Sequence, residues 1–573
     1  MPTNSQRSLD QPDASAAPRV GWAFLIALTL YACYFSNLSA IGLVGPDEPR
    51  YAWIARDMAE TGDWVTPRLY GRPWLEKPPL LYWGGAVFFK LLGEGHPEVA
   101  ARLPSAICAL LATLALAWLA WRTYGEECAR WLLLLLPTSV GMIGFSHACA
   151  TDMPFAGMLT ISMVCASVVL GLTRASEDTP ILPNTPWAAV LLFGFFLGLA
   201  VLAKGPAAII LSSGTLFLWA AFRKRWRDAL RLLHPAAIAS FCVTALPWYI
   251  LCAHRNPDFF RVFIIEHNFK RFLTPEFQHV QPFWYYTPVL LVAFLPWTAA
   301  LLYSAAVGAS SAFKSRTLNP VTALILCWLV IPLAFFSLSR SKLPGYILPS
   351  IPPIAVLMVR LVSRLGPERR KKIGAVFLLF TVLCIAAAEV IDRTTHNAPW
   401  TIVALRMLLV IFLGLIVITN AVLAISFFLP GRSWVRNLGV SLASVPILLS
   451  LVALHPQRFL RAFPGLSAQV IASHLRINGF PTYDLAADKS LPRGLKYGLN
   501  FYLRREVREW DEKRRDTVYL LSQAPRCQDL RSGGYSCSYI ELGLEANGWF
   551  LCRVKRADSL GGLGSGGQPE QEK

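Results

Sequence analysis

The sequence predicts an all-α membrane protein of about thirteen transmembrane helices, followed by a soluble α/β domain at the C-terminus. Of the 573 residues, 54% are hydrophobic and only 16% are charged, whereas soluble proteins keep about a quarter of their residues charged. Apolar stretches of the length that a helix needs to cross a bilayer, about 20 residues, recur over the first 453 residues. Beyond them the chain becomes polar and mixes short strand-like runs with charged segments.

The N-terminal residues 1–20 are polar, and we expect them to form a cytoplasmic tail. The first apolar segment is long and lacks a small-residue cleavage site, so it is predicted to be an uncleaved span. The predicted spans are 21–43, 103–121, 131–148, 153–172, 186–203, 206–222, 235–253, 286–305, 319–338, 346–362, 373–391, 401–428 and 438–453.

One further apolar stretch, Leu80–Leu92, decides the orientation of everything that follows. If it lies along the membrane surface, the loops rich in Lys and Arg all fall on the cytoplasmic side, as the positive-inside rule requires. Counting it as a span would invert those loops, so thirteen spans is the prediction. Because the net charge of +19 is spread over these loops, it argues against a nucleic-acid partner.

The same orientation places residues 44–102, the turn at Thr151-Asp152, Lys204-Gly205-Pro206, residues 254–285, residues 339–345 and the chain after Pro456 on the outer side. Cations are disfavoured in short outer loops. Six of the cations found there call for a reason: Arg50, Lys77, Lys204, Arg271, Arg340 and Lys342. A bound phosphate would account for them.

The first outer loop carries the strongest chemical signal. Asp47 and Glu48 follow the first span, and Pro49 suits the first turn of a helix. Acidic residues at a helix N-terminus are favoured by its dipole, so a capped surface helix is the plain alternative to an active site. The loop continues through Gly62-Asp63-Trp64 to Glu76-Lys77-Pro78-Pro79.

Further candidates lie in the other outer segments. Asp152 stands at the mouth of a span, where an acid can be a helix N-cap or a functional carboxylate. His267, next to Glu266, could be a metal ligand, a proton carrier or a simple hydrogen-bonding residue. The aromatic run Trp284-Tyr285-Tyr286 fits an interfacial belt better than a sugar platform. Residues 339–346 place two cations in one short loop, which favours phosphate capture.

These motifs resemble aminoarabinose (4-amino-4-deoxy-L-arabinose) lipid A transferases, which have the GT-C fold and are related to protein O-mannosyltransferases. The similarity begins with residues 47–51, 62–64 and 76–79. It continues in order through residues 101–105, 151–154, 203–206 and 341–346. It therefore spans about the first 360 residues and is specific for the fold and for a lipid-linked donor.

The resemblance implies a multi-pass enzyme of the bacterial inner membrane with a periplasmic active site. It would move the sugar, with inversion, from undecaprenyl phosphate to a lipid A phosphate, which confers resistance to polymyxin.

The leaving group of such a donor is a phosphate, so cations should stabilise the charge that develops on it. Lys77 and Arg271 are the leading candidates, with Tyr346 as a hydroxyl donor and Lys204 and Lys342 next. Asp47 is the leading catalytic carboxylate. Asp152 would bind the amino group of the donor or support Asp47, and Glu48 and Arg50 would support the loop or bind substrate. No cofactor is required, although Glu76 and His267 could bind a divalent metal.

Two other functions stay open at this stage. An enzyme related to protein O-mannosyltransferases would glycosylate a hydroxyl group and would need a general base. A lipid transporter or flippase is the second alternative, but transporters place polar residues near the bilayer midplane and contain two related halves. Here the polar residues gather at one face.

The domain prediction places a GT-C membrane domain at 21–453, a periplasmic α/β domain at 454–560 and a disordered, Gly-rich tail at 561–573. Residues 517–521 and 549–554 are strand-like, and Arg504 to Arg515 is predicted to be helical. Cys527 and Cys537 flank a turn-like stretch and could form a disulfide in an oxidising compartment. Most other cysteines lie in apolar stretches or short loops and are expected to be buried thiols.

Overall fold

The computed structural model describes residues 16–173, 186–270, 280–314, 318–395, 400–428, 468–489, 491–511, 518–522, 526–540 and 550–556. The chain forms two compact units. We call the first the helical unit; it comprises Met1–Asn37, Leu75–Leu81 and Arg102–Val452. The second, the mixed unit, comprises Leu38–Trp74, Tyr82–Ala101 and Ala453–Lys573. Most of the first outer loop thus belongs to the same unit as the C-terminal residues.

Helices account for most of the described residues. In chain order they are α1 (Ala16–Tyr34), α2 (Asp47–Thr61), α3 (Leu80–Leu92), α4 (Pro97–Tyr124), α5 (Glu126–Leu135), α6 (Val140–Ser146), α7 (Asp152–Val169), α8 (Trp187–Lys204), α9 (Ala207–Arg223), α10 (Trp226–Leu230), α11 (Pro235–Arg255), α12 (Tyr286–Ala293), α13 (Thr298–Lys314), α14 (Pro320–Leu338), α15 (Ile351–Val362), α16 (Pro367–Thr395), α17 (Trp400–Phe428), α18 (Ala468–Ile477), α19 (Arg493–Leu503) and α20 (Cys527–Ser532). A π-helix covers Phe260–Lys270, and a 3₁₀ helix covers Pro344–Ser350 just before α15.

Several of these helices match the predicted membrane spans. Within the described ranges, seven helical stretches are long and apolar enough to cross a bilayer, or eight if the bent pair α5 and α6 is one span. The prediction of a mainly helical, multi-pass membrane fold is therefore confirmed. The last predicted span, 438–453, lies outside the described residues.

Within the described residues, the predicted spans 131–148 and 286–305 are interrupted, which corrects the expectation that each of them is one continuous helix. Within 131–148, α5 and α6 meet at 63° around Leu136–Ser139, and within 286–305 the residues between α12 and α13 are Phe294–Trp297. Each break contains a proline, Pro137 or Pro296. Proline lacks the backbone N–H that a helix needs and clashes with the preceding turn.

Small residues allow close packing in the helical unit. Gly194 and Gly198 lie one turn apart on α8 and face α11, where Cβ atoms added to them would collide with Ala237 and Thr244. This spacing of small residues lets two helices approach closely, as is common inside membranes. Helix α7 is almost completely buried, with Gly157 packed directly against the backbone of Cys108 on α4.

The mixed unit begins with the first outer loop. Helix α2 ends at Gly62, which adopts a left-handed conformation with φ of 72° and donates to the carbonyl of Met58. A short hairpin follows, formed by β1 (Arg68–Leu69) and β2 (Arg72–Pro73). Helix α3 has 13 residues and a length of about 20 Å, which is shorter than the apolar core of a bilayer, about 30 Å. Its length agrees with the prediction that Leu80–Leu92 does not cross the membrane.

The C-terminal residues form a five-stranded mixed sheet. Its strands are β3 (Leu485–Ala487), β4 (Arg508–Glu509), β5 (Val518–Ser522), β6 (Tyr535–Ile540) and β7 (Phe550–Arg556), in the order β4-β3-β5-β7-β6. β3 pairs in parallel with β4 and β5, whereas β7 pairs antiparallel with β5 and β6. The strand-like runs that the sequence analysis named coincide with β5 and β7.

One C-terminal prediction is wrong and one is confirmed. Over the described part of Arg504 to Arg515 there is no helix, because Arg504 ends α19 in a left-handed conformation and Arg508–Glu509 joins the sheet. A charged run favours a helix only while no neighbouring strand offers hydrogen bonds to its backbone. Cys527 and Cys537 form the expected disulfide, with Cα atoms 5.3 Å apart.

Candidate active site

Helix α2 begins at the two predicted acids, and the structure gives them different environments. Glu48 is buried, and its Oε2 accepts a hydrogen bond of 2.9 Å from the backbone N–H of Val44. Asp47 keeps 51% of its side chain exposed. Glu48 therefore stabilises the approach to the helix, and Asp47 is the carboxylate of the two that a substrate can reach.

Arg50 lies one turn after Asp47 and pairs with it. The guanidinium also donates from Nε to the carbonyl of Pro46 at 2.7 Å. It lies 5.2 Å from the ring of Trp74 and 5.1 Å from the ring of Tyr497. These contacts hold Arg50 in place on several sides, so its geometry is that of a loop-supporting residue that orients Asp47.

A second group of predicted residues meets in the helical unit. Asp152 is the first residue of α7, Lys204 is the last of α8, and Tyr346 lies in the 3₁₀ helix before α15. Asp152 Oδ1 is 2.5 Å from Lys204 Nζ. Lys204 Nζ in turn lies 4.4 Å from the centre of the Tyr346 ring. Three residues that are far apart in sequence thus form one compact polar cluster.

The contacts of Asp152 bear on the two alternatives that its position left open. Thr151 occupies the N-cap position of α7 and makes no side-chain cap hydrogen bond, whereas the Asp152 carboxylate pairs with Lys204. The side chains of Asp152 and Lys204 are only 19% and 12% exposed. Asp152 and Lys204 therefore form a largely buried ion pair, and the role of Asp152 in binding a substrate stays a prediction.

Gly345 closes one side of this cluster. A Cβ atom at that position would lie 2.5 Å from Asp152 Oδ1 and 2.9 Å from Phe145. The backbone of the 3₁₀ helix can therefore approach the carboxylate only because residue 345 has no side chain.

Lys342 belongs to the same outer segment but is engaged differently. It is buried, and its ammonium group donates to the carbonyl oxygens of Ser339 at 2.6 Å and Gln281 at 3.0 Å. Burial lowers the pKa of Lys342, and the positive charge of Arg340 lowers it further. Arg340 itself is exposed. Lys342 thus links the loop at 339–345 to the segment at 280–281.

Lys77, Glu76 and His267 occupy another part of the helical unit. His267 lies on the π-helix, and its Nε2 is 3.8 Å from Glu76 Oε1. Lys77 follows Glu76 in a bend and is half-buried. The pair of Glu76 and His267 could supply two metal ligands. Arg271 lies outside the described residues.

Among the residues that the structure describes, three potential metal ligands lie within 4.8 Å of one another, namely the sulfur atoms of Cys527, Cys537 and Cys552. The first two are joined in the disulfide. Since a disulfide sulfur carries no thiolate charge, this group is not a metal site.

Sequence patterns alone do not single out Tyr286 or Tyr497 as neighbours of the predicted site residues. Tyr286 was grouped with Trp284 and Tyr285 as an interfacial belt, and Trp284 is indeed 56% exposed. Tyr286 is instead buried, close enough to Tyr346 and Asp152 to interact with them electrostatically. Tyr497 lies in a region with no motif, and only its contact with Arg50 reveals it.

Comparison with known proteins supports this fold and shows the family. Residues 21–263 match the family model described as dolichyl-phosphate-mannose-protein mannosyltransferase. The chain is 32% identical over 408 residues to an undecaprenyl phosphate-alpha-4-amino-4-deoxy-L-arabinose arabinosyl transferase of Aeromonas salmonicida, covering 69% of this chain and 70% of that protein. A protein of the same name from Edwardsiella ictaluri is 31% identical, with 67% and 66% covered. The chain thus spans about two thirds of the length of these relatives.

A solved structure has the same fold. The crystal structure of ArnT from Cupriavidus metallidurans bound to undecaprenyl phosphate superposes with a TM-score of 0.73 at 22% identity, covering 93% of this chain and 98% of that one. The apo structure of the same protein gives a TM-score of 0.72. The resemblance drawn from the ordered motifs is confirmed, and the chain belongs to the family of undecaprenyl phosphate-alpha-4-amino-4-deoxy-L-arabinose arabinosyl transferases.

Proposed function

We propose that this protein transfers 4-amino-4-deoxy-L-arabinose from undecaprenyl phosphate to a phosphate group of lipid A, with inversion at the anomeric carbon. It is a lipid-linked-sugar-dependent pentosyltransferase with the GT-C fold. The observation that carries the proposal is the 32% identity over 70% of a relative whose name specifies this donor and this sugar. Masking a lipid A phosphate lowers the negative surface charge that polymyxin needs, so the activity would give resistance to that antibiotic.

The membrane arrangement that we propose has thirteen spans, with residues 1–20 in the cytoplasm and residues 44–102 in the periplasm. The chain after 454 is then periplasmic, with an α/β domain at 454–560, and the predicted tail at 561–573 lies outside the described residues. Its support is the charge asymmetry of the loops, which follows the positive-inside rule when Leu80–Leu92 is kept out of the membrane. The Cys527–Cys537 disulfide fits an oxidising compartment such as the periplasm.

The reaction needs little proton transfer. An oxygen of the acceptor phosphate attacks the anomeric carbon, and the bond from that carbon to the undecaprenyl phosphate oxygen breaks. The acceptor is already ionised near neutral pH, and the leaving phosphate takes the electron pair of the broken bond. The main task of the protein is to stabilise that developing negative charge.

Cations and one hydroxyl perform this task in our proposal. Lys77 and Arg271 bind the donor phosphate, and Tyr346 donates a hydrogen bond to it. Lys204 supports this charge from its place above the Tyr346 ring. Lys342 contributes its positive charge from the neighbouring loop, where two carbonyl groups hold its ammonium.

The carboxylates have separate roles. Asp47, which is half exposed and oriented by Arg50, stabilises the oxocarbenium-like centre or orients the acceptor. Asp152 binds the amino group of the sugar, for which its partly exposed carboxylate is suited. Glu48 supports the loop through Val44. No metal is required in this scheme, although Glu76 and His267 could bind one.

The test is a transfer assay with purified protein, radiolabelled undecaprenyl-phosphate-aminoarabinose and lipid A. We expect labelled lipid A from the unmutated enzyme, and a loss of at least about 100-fold, the effect of removing one charge-stabilising group, in Asp47→Ala and in Lys77→Ala. Glu368→Gln and Lys371→Ala change charges that are exposed on α16, so these matched controls should keep full activity.

Each result bears on a different part of the proposal. Absence of labelled lipid A from the unmutated enzyme would overturn the proposed substrate pair. Label on protein hydroxyl groups would favour an enzyme of the O-mannosyltransferase kind, for which Asp47→Asn should abolish the reaction. Full activity of both Asp47→Ala and Lys77→Ala would remove the proposed site.

A further inference from the structure

Helix α19 in the C-terminal part of the mixed unit packs against the segment that leads into Asp47. Gly494, in the first turn of α19, faces Gly45 so closely that a Cβ atom on Gly494 would lie 2.8 Å from the Gly45 carbonyl carbon. Gly45 has a φ of 67° and precedes Asp47 by two residues. The backbone of α19 thus limits where the start of α2 can lie.

The next turn of α19 is connected to Asp47, the proposed catalytic carboxylate, through Arg50. The ring of Tyr497 lies 5.1 Å from the guanidinium carbon of Arg50, on which it can make a cation–π contact. Arg50 pairs directly with Asp47. Tyr497 therefore supports the residue that orients Asp47 without contacting the carboxylate itself.

The last turn of α19 is fixed to the same loop by buried polar contacts. Arg56 of α2 stacks on the Phe501 ring at 3.7 Å and donates to the Phe501 carbonyl at 3.0 Å. The hydroxyl of Tyr502 accepts from the N–H of Leu43 at 2.8 Å and donates to Glu98 at 2.8 Å. Both ends of α19 therefore contact the first outer loop.

We propose that α19 is the positioning element of the Asp47 loop, and that Tyr497 and Gly494 are positioning residues for the transfer reaction. The inference rests on the proposed function, in which Asp47 is the catalytic carboxylate. A half-exposed side chain near the start of a helix has several rotamers available. Contacts from α19 restrict the loop and Arg50 to one arrangement, and a misplacement of 1 Å can cost about 100-fold in rate. The C-terminal part of the chain is then part of the catalytic apparatus although it supplies no reacting group.

The experiment compares four variants of the full-length protein in the transfer assay. Gly494→Ala pushes on Gly45, and Tyr497→Leu removes the ring beneath Arg50. We expect both to lower kcat about 10-fold to 100-fold, with KM for the lipid-linked donor within about twofold of the unmutated value, because the donor phosphate is bound elsewhere. Tyr497→Phe keeps the ring and should retain activity. Gly533→Ala is the matched control, since its Cβ would meet only ordinary contacts of 3.5 Å or more.

The outcomes separate this inference from the proposed function. Unchanged kcat in Gly494→Ala and Tyr497→Leu, with Asp47→Ala inactive, overturns the positioning role alone. If Asp47→Ala instead keeps its activity, Asp47 is not the catalytic carboxylate, and the inference loses its premise. If Gly494→Ala fails to fold, the comparison of Tyr497→Leu with Tyr497→Phe decides, and equal kcat in that pair overturns the proposal.

Discussion

Lys204 Nζ lies 2.5 Å from Asp152 Oδ1, although 52 residues separate the two along the chain. The contact joins the end of α8 to the start of α7, and both side chains are largely buried. The Tyr346 ring beneath the ammonium adds a third element to the same point. Removal of one partner from a buried ion pair destabilises a protein strongly, because the other charge is left buried and unpaired.

This pair should show strong coupling in a double-mutant cycle. Asp152→Asn and Lys204→Met each leave the partner charge without its counter-ion, so each alone should lower the thermal stability of the purified protein. The double variant removes both charges and should lose less than the sum, with a coupling free energy of about 1–3 kcal/mol. The melting temperature in detergent is the measurement. Strictly additive losses would mean that the two side chains do not interact.

Substitution of Gly345 should damage the site by steric contact alone. The added methyl group of Gly345→Ala would lie 2.5 Å from Asp152 Oδ1, so either the carboxylate or the 3₁₀ helix has to shift. We expect at least a 10-fold loss of transfer activity, since displacements well under 1 Å disturb catalytic geometry. Gly366→Ala, where a Cβ would meet nothing within 4 Å, is the control. Equal activity of the two variants would show that the cluster tolerates the shift.

The stability of the protein should depend on the ionisation of Asp57. Burial raises the pKa of the Asp57 carboxyl, Arg68 opposes this effect, and Glu60 and Asp63 add to it. The folded state therefore holds this proton more tightly than the unfolded state, and stability is lost as the pH rises from the unfolded pKa through the folded one. Asp57→Asn stays neutral and should raise the melting temperature at pH 7.

That advantage should shrink as the pH is lowered towards 4, because the Asp57 carboxyl becomes protonated in both states. Melting temperatures of the two proteins measured between pH 4 and pH 8 test this. An advantage of Asp57→Asn that is constant over the whole range would contradict the assignment to ionisation.

Chelation tests whether the pair of Glu76 and His267 needs a metal. Their facing atoms are 3.8 Å apart, and a tetrahedral zinc site would need additional ligands. Because the proposed chemistry relies on cations of the chain, we expect treatment with EDTA to change the transfer activity by no more than about twofold. A tenfold change in rate would correspond to about 1.36 kcal/mol in the activation free energy. A large loss that added Zn²⁺ restores would instead make the pair a metal site.

Patterns that are local in sequence predicted much of this protein. Runs of apolar residues predicted the helices of the membrane fold. A spanning helix satisfies its backbone hydrogen bonds within itself, so its apolar composition identifies it without knowledge of its neighbours. The strand-like runs at 517–521 and 549–554 also predicted β5 and β7. The sequence shows Pro137 and Pro296, but it does not predict that the helices break there. A proline inside a span can either kink the helix or be accommodated in it.

The sequence by itself determined the class of the protein, the acid-rich first loop and the unusual outer cations. Only the tertiary structure paired Asp152 with Lys204, set Lys342 between two carbonyl groups, buried Tyr286 and placed Tyr497 against Arg50. It also showed Arg504–Glu509 ending a helix and joining a sheet, against the helical prediction. The physical reason is the same in each case: these outcomes depend on contacts between segments far apart in the chain, which no local pattern of residues encodes.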